Sequence, residues 1–191
     1  ALPRASADLV QRRHVAEGDG AVVVFRSVDD LGGHRWRRGG VADDTAGDES
    51  LVAANPRDSR VRQDLAYLYE AAGRVDDAIA QLETSIKLAP NSASGPYQLG
   101  TLLLKQRRVD ESMVRLERAV ALKPEWPETH NNLGAGWFLR GDLAKASASF
   151  DEAIRLDPTN AEAYFNRGRV LAAQRRAGEA LVAFRSSLRL K

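Results

Sequence analysis

The sequence predicts an all-α fold, a solenoid of stacked antiparallel helix pairs. Three observations carry this expectation. Pro56, Pro90, Pro124 and Pro158 stand 34 residues apart, and a fixed period of that length marks a repeat architecture. Between the prolines the same residue types return at the same offsets. Within each interval apolar residues recur at helical spacing, as in Ala78, Ile79, Leu82 and Ile86.

Placing each proline at position 32 makes the units begin at Ser59, Ala93, Pro127 and Ala161. The first helix of each unit carries a small residue at position 8: Ala66, Gly100, Gly134 and Gly168. Gly73 and Gly141 mark the turn between the paired helices. The second helix answers with Ala78, Ser112, Ala146 and Ala180 at position 20. Small residues at both positions let two helices approach closely. Large apolar residues fill the flanks: Leu65, Leu99 and Leu133 at position 7, with Arg167 departing from the pattern, and Leu82, Leu116, Phe150 and Phe184 at position 24. Proline at position 32 cannot continue a helix and ends each unit. Pro96 sits in a first turn, where Ser94 is the expected cap.

This pattern resembles the tetratricopeptide repeat over residues 59–191. Its clearest stretches are Asn-Asn-Leu-Gly at 131–134 with Trp137, and Ala161-Glu-Ala-Tyr-Phe-Asn-Arg-Gly ending at Gly168. The resemblance implies a right-handed superhelix over a domain at 49–191, whose first helices line a concave groove through positions 2, 5, 6, 9, 12 and 13. Position 6 reads Asp64, Gln98, Asn132, Asn166. Amides carry a donor and an acceptor each, so they suit a peptide backbone. First helices about 10 Å apart would meet an extended chain, at about 3.3 Å per residue, at every third residue. The row is similar to the asparagine ladder of protein-modifying N-acetylglucosaminyltransferases.

Around this row the implied groove holds Tyr67, Tyr97, Phe138, Phe165 and Leu104, which suit partner binding. Its charges are mixed: Arg60, Lys105 and Arg169 against Asp64, Glu128 and Glu162. The chaperone-tail subtype of the family needs basic and amide residues at set positions. Only Asn132 meets that need, Tyr97, Thr101 and Asn166 do not, and Glu162 would repel a carboxylate, so capture of chaperone tails is excluded. His130 shares position 4 with Arg62, Pro96 and Tyr164 and is read as a helix-packing residue.

Composition narrows the chemistry. The chain of 191 residues has no cysteine, which excludes thiol catalysis and cysteine-ligated metal. His14, His34 and His130 form no metal-spacing motif. A net charge of +2 implies no nucleic-acid partner. No nucleophile–base pair or phosphate loop is present, so neither an enzyme nor a cofactor is expected. No apolar run has the roughly 20 residues of a membrane span. The lack of a secretory start slightly favours the cytoplasm, and a periplasmic setting would need a leader upstream. The sequence starts without Met and stops at Lys191 with no polar capping element after it, so a segment of a longer protein is expected.

Residues 1–48 read as irregular or disordered. From Gly18 to Asp48, 25 of 31 residues are Gly, Ala, Arg, Val or Asp, a low complexity that argues against a packed core. The run from Ala21 to Phe25 would suit a strand, but a strand without a partner is unstable. His34-Arg-Trp-Arg-Arg38 mixes basic and aromatic residues, a weak nucleic-acid signal. The repeat frame also extends backwards as a decayed unit at 25–58. Its second helix would bury Asp44 and Asp48, at a cost of several kcal/mol each. Only 51–55 suggests a retained final turn.

The expected function is a non-catalytic interaction scaffold that holds an extended peptide or a helix in the groove. The alternative is the substrate-recruiting arm of a larger enzyme, such as a glycosyltransferase. A third expectation is self-association through the uncapped last helix, where Leu181, Phe184 and Leu188 are apolar.

Overall fold

The computed structural model describes residues 11–12, 23–28, 34–39, 53 and 55–190. The chain divides into two compact bodies, Ala1–Leu88 and Ala89–Lys191. The division falls after the first repeat unit.

In the first body, three strands, β1 (Gln11–Arg12), β2 (Val23–Val28) and β3 (His34–Gly39), form an antiparallel sheet in that order. Phe25 pairs with Arg37 and Arg26 with Trp36. This corrects the expectation of irregular chain at these positions, and the first helix of a decayed unit at 25–58 is replaced by extended backbone. The physical reason is the β-branched and aromatic content of β2, with Val23, Val24, Phe25 and Val28, together with the partner strand that the sequence reading lacked. The basic and aromatic run at 34–38 lies on β3. Asp44, Asp48 and most of the expected final turn at 51–55 lie outside the described residues.

The same body holds the first helix pair, α1 (Ser59–Ala71) and α2 (Val75–Leu88). Asp58 caps α1 by accepting from the backbone N–H of Arg60 at 2.8 Å. The pair is antiparallel: Ser85 near the end of α2 donates to the carbonyl of Ser59 at 3.0 Å, and Gln63 donates to Ser85 Oγ at 2.8 Å. Leu65, Ala66, Ala78 and Leu82 are buried between the helices.

The second body stacks three pairs: α3 (Ser94–Lys105) with α4 (Val109–Leu122), α5 (Pro127–Leu139) with α6 (Leu143–Leu156), and α7 (Ala161–Ala173) with α8 (Ala177–Arg189). The small residues meet large ones across each pair. A Cβ on Gly100 would lie 2.7 Å from Leu116 Cγ, and one on Gly168 would lie 2.6 Å from Phe184 Cε1. Ser112 fills its small-residue position by donating to the carbonyl of Gly100 at 2.7 Å, so its hydroxyl is buried without loss. Arg167, the departure at position 7, reaches Asp151 on α6 as an ion pair.

The second helices of the first three units stop two residues before the next proline, at Leu88, Leu122 and Leu156. The expected cap at Ser94 is instead the first residue of α3, and Ser92 accepts weakly from its N–H at 3.4 Å. The turns inside the units alternate. Units one and three use Gly73 and Gly141 at φ +75° and +80°, whereas units two and four place Arg107 and Arg175 at φ 60° and 61°. Both arginines stand in a Gln-Arg-Arg run. The following Arg108 and Arg176 pair with Glu111 and Glu179 at 2.7 and 2.6 Å. Arg62 and His130, at position 4 of units one and three, each bond the carbonyl of the preceding proline, Pro56 and Pro124, at 2.9 and 2.6 Å; in unit two Arg118, from the second helix, bonds that of Pro90 at 3.1 Å. The repeat region is an all-α helical repeat solenoid.

Candidate functional site

The first helices α3, α5 and α7 adjoin one another in the second body, so side chains that project from one can reach the next. Three groupings result.

The first lies between α3 and α5. Asn132 donates to Thr101 Oγ1 at 2.8 Å, and Thr101 donates in turn to the carbonyl of Tyr97 at 2.9 Å. The ring of Tyr97 lies 4.6 Å from that of Trp126, and Lys123 sits 4.9 Å from the Trp126 ring. Burial holds the Tyr97 phenol above its ordinary value of 10.0; the nearby carboxylates of Glu128 and Glu162 add to the shift, and hydrogen bonding to Thr101 and Asn132 opposes it. Tyr97 therefore stays a neutral hydrogen-bonding group.

The second links α5 to α7. Asn166 donates to Asn131 Oδ1 at 3.1 Å, and Asn131 donates to Glu162 Oε1 at 3.1 Å. Arg169 approaches Asn166 Oδ1 at 3.4 Å and lies 4.8 Å from the centre of the Phe138 ring. Asn131 and Asn166 are 4% and 8% exposed. A buried amide of this kind is held rather than offered.

The third is a cavity of about 200 Å³ between the ends of the same helices. Leu104, Ala135, Phe138 and Leu139 form its apolar wall, with the buried ring of Phe150 beside them. Arg107, Asn166 and Arg169 complete it.

Of the residues singled out in the sequence, Tyr97 and Asn132 thus come together, and so do Phe138, Asn166 and Arg169. Gln98 is half-buried; its Oε1 and the Oγ1 of Thr129 are buried without a hydrogen-bond partner among the described residues. Phe165 instead packs against Phe184 of its own unit, with ring centres 5.6 Å apart. Lys105 is exposed at the end of α3. Asp64 and Tyr67 lie on α1 in the first body, half-buried and exposed respectively.

The position-6 amides differ from a free ladder. Asn132 and Asn166 are each tied to a side chain of the preceding unit, Thr101 and Asn131. Sequence reasoning passed over Thr101 and Asn131 as binding residues, and Arg107 and Trp126 altogether. The Asn-Asn doublet at 131–132 was the available signal, because its first amide sits where the other units carry Gln63, Tyr97 and Phe165.

Among the described residues no group of acidic or histidine side chains could hold a metal ion, and no helix is long and apolar enough to cross a membrane.

Comparison with known proteins agrees with this geometry. Residues 49–95 and 71–133 match a family described as tetratricopeptide repeat, and residues 138–174 match one described as TPR repeat. No curated protein matches the sequence. Solved structures of the same fold include MamA from Desulfovibrio magneticus RS-1, at 20% identity and a TM-score of 0.71, covering 80% of this chain and 86% of that one. PilF of Pseudomonas aeruginosa is 18% identical with a TM-score of 0.72, over 79% of this chain and 69% of its own. YrrB, described as a TPR protein with an unusual peptide-binding site, is 20% identical with a TM-score of 0.64, over 79% and 78%. At these identities the likeness is one of fold. With the period, the small-residue contacts and the family matches in agreement, the chain belongs to the tetratricopeptide repeat family.

Proposed function

We propose that this protein is a non-catalytic scaffold that holds a short extended peptide segment of a partner against the first helices of its second body. The observation that carries this reading is the cavity shared by α3, α5 and α7, with an apolar wall beside polar side chains. Pockets for peptide side chains have this composition, and aromatic and arginine residues such as Phe138 and Arg169 are the usual anchors of interfaces. The partly buried Asn132 and Tyr97 add donors and acceptors on the same helices. YrrB, of the same fold, is described as having a peptide-binding site, which supports the class of ligand but not its sequence.

The test is fluorescence anisotropy with the full chain and a panel of short labelled peptides, repeated with Asn132→Ala and Phe138→Ala. The scaffold reading expects micromolar binding that both substitutions weaken while far-ultraviolet circular dichroism stays unchanged. Peptide affinity equal in wild type and both variants would count against this surface as the site.

A further inference from the structure

We infer that the cavity takes an acidic–apolar pair of neighbouring side chains from the bound peptide, the apolar one inside and the carboxylate on Arg107 and Arg169. The inference rests on the peptide-binding reading above and names the chemistry of what is bound.

Size comes first. At about 200 Å³ the cavity is below the ~300–1,000 Å³ typical of small-molecule pockets. It is comparable to the ~150 Å³ cavities that admit one benzene ring. It therefore suits a single side chain of phenylalanine or leucine. Leu104, Phe138 and Leu139 give that side chain apolar contacts.

Charge comes second. In this body Arg108, Arg140, Arg155, Arg167 and Arg176 each have a carboxylate partner. Arg107 and Arg169, which line the cavity, make no ion pair among the described residues, as is also true of Arg118, Arg175, Arg185 and Arg189; Arg169 approaches the Asn166 amide and the Phe138 face. The carboxylates of the same helices, Glu128 and Glu162, are in the first turns of α5 and α7. From Glu162 to Arg169 the helix rises by roughly 10 Å, about one Debye length at physiological salt. Neither acid pairs with Arg107 or Arg169: Glu162 accepts from Asn131, and Asp110, near Arg107 in the chain, pairs with Arg140. Two guanidiniums beside an apolar wall complement a carboxylate next to an apolar group, and they repel an ammonium.

The experiment uses the full chain and short fluorescein-labelled, C-terminally amidated peptides with a central Glu-Phe, Lys-Phe or Glu-Ala pair in an otherwise neutral sequence. Glu-Phe is expected to bind about tenfold more tightly than Lys-Phe, and more tightly than Glu-Ala. The double variant Arg107→Gly, Arg169→Gln is expected to lose the preference for Glu over Lys and to keep the preference for Phe over Ala. Glycine suits the positive φ of residue 107, so the variant should stay folded, which circular dichroism checks. Equal affinity for Glu-Phe and Lys-Phe in the wild type would overturn the inference. If binding then still depended on Asn132 and Phe138, the scaffold reading would stand without it. Absence of binding by any peptide would remove both.

Discussion

Gly134 faces the ring of Phe150 so closely that a Cβ on residue 134 would lie 2.7 Å from Cε1. Phe150 is 1% exposed, so its buried ring must shift to admit the methyl group. Gly134→Ala should therefore lower stability by about 1–3 kcal/mol, despite alanine's better helix propensity. Gly178, near the start of α8, is the control: a Cβ there meets nothing within 4 Å. Gly178→Ala should raise stability by about 0.5 kcal/mol. Thermal unfolding followed by circular dichroism measures both.

The turns offer a second comparison. Arg107 and Arg175 occupy the left-handed region at φ 60° and 61°, where a side chain costs about 1–2 kcal/mol. Arg175→Gly should stabilise the protein by about 1 kcal/mol, and Gly141→Ala, at φ +80°, should destabilise it by a similar amount. Urea titration of the two variants beside wild type checks the opposite signs.

Asn131 is the hub of the polar chain from Glu162 to Asn166. Asn131→Asp replaces a donor to Glu162 with a second carboxylate, and burial in a 4% exposed site compounds the repulsion. We expect a loss of about 2–3 kcal/mol at neutral pH, partly recovered as the pH falls to about 4 and one of the two acids takes a proton. Asn131→Ala should cost less at neutral pH and lack the acid recovery. Unfolding curves across that pH range separate the two.

Tyr97 should ionise above the ordinary phenol value of 10.0, because burial first and Glu128 second hold its phenol up. The folded state then holds the proton more tightly than the unfolded chain. The associated stability is fully present below about pH 10 and is lost as pH rises through the folded value. Ultraviolet difference absorbance of wild type against Tyr97→Phe should show the missing phenolate band only at the alkaline end.

Leu181 and Leu188 on α8 are 57% and 72% exposed, although residues at these positions in the two preceding units are mostly covered, as with Met113 at 2%. Self-association through α8 stays a proposal. On that proposal, Leu181→Glu with Leu188→Glu should leave the unfolding temperature of dilute protein unchanged and reduce light scattering at high concentration. Equal scattering from variant and wild type would remove it.

Much of this architecture was legible in the sequence because packing repeats with the chain. The prolines gave the frame, and the frame located Gly100, Gly134 and Gly168 as close-approach points before any coordinate was known. The strands β2 and β3 were missed because a lone apolar run says nothing about its partner, and β3 is rich in arginine. The site was less legible. Position 6 singled out Asn132 and Asn166, but not that each would be tied to a neighbouring unit. Such bonds depend on helix separation and rotamer, which residue identity does not encode. Phe165 also meets Phe184, a contact between rings that the position of Phe165 alone does not announce. Arg107 was overlooked because it sits in a turn, outside the helix positions taken to line the groove.

The alternation of glycine and arginine turns has a consequence for changing the length of this protein. Units one and three share a glycine turn; units two and four share the Gln-Arg-Arg turn. Deleting unit two or unit three would place two turns of the same kind in succession along the chain and break the alternation. A graft of two units would preserve it. The natural module for lengthening, shortening or transplanting this array is therefore the pair of units, twice the proline period.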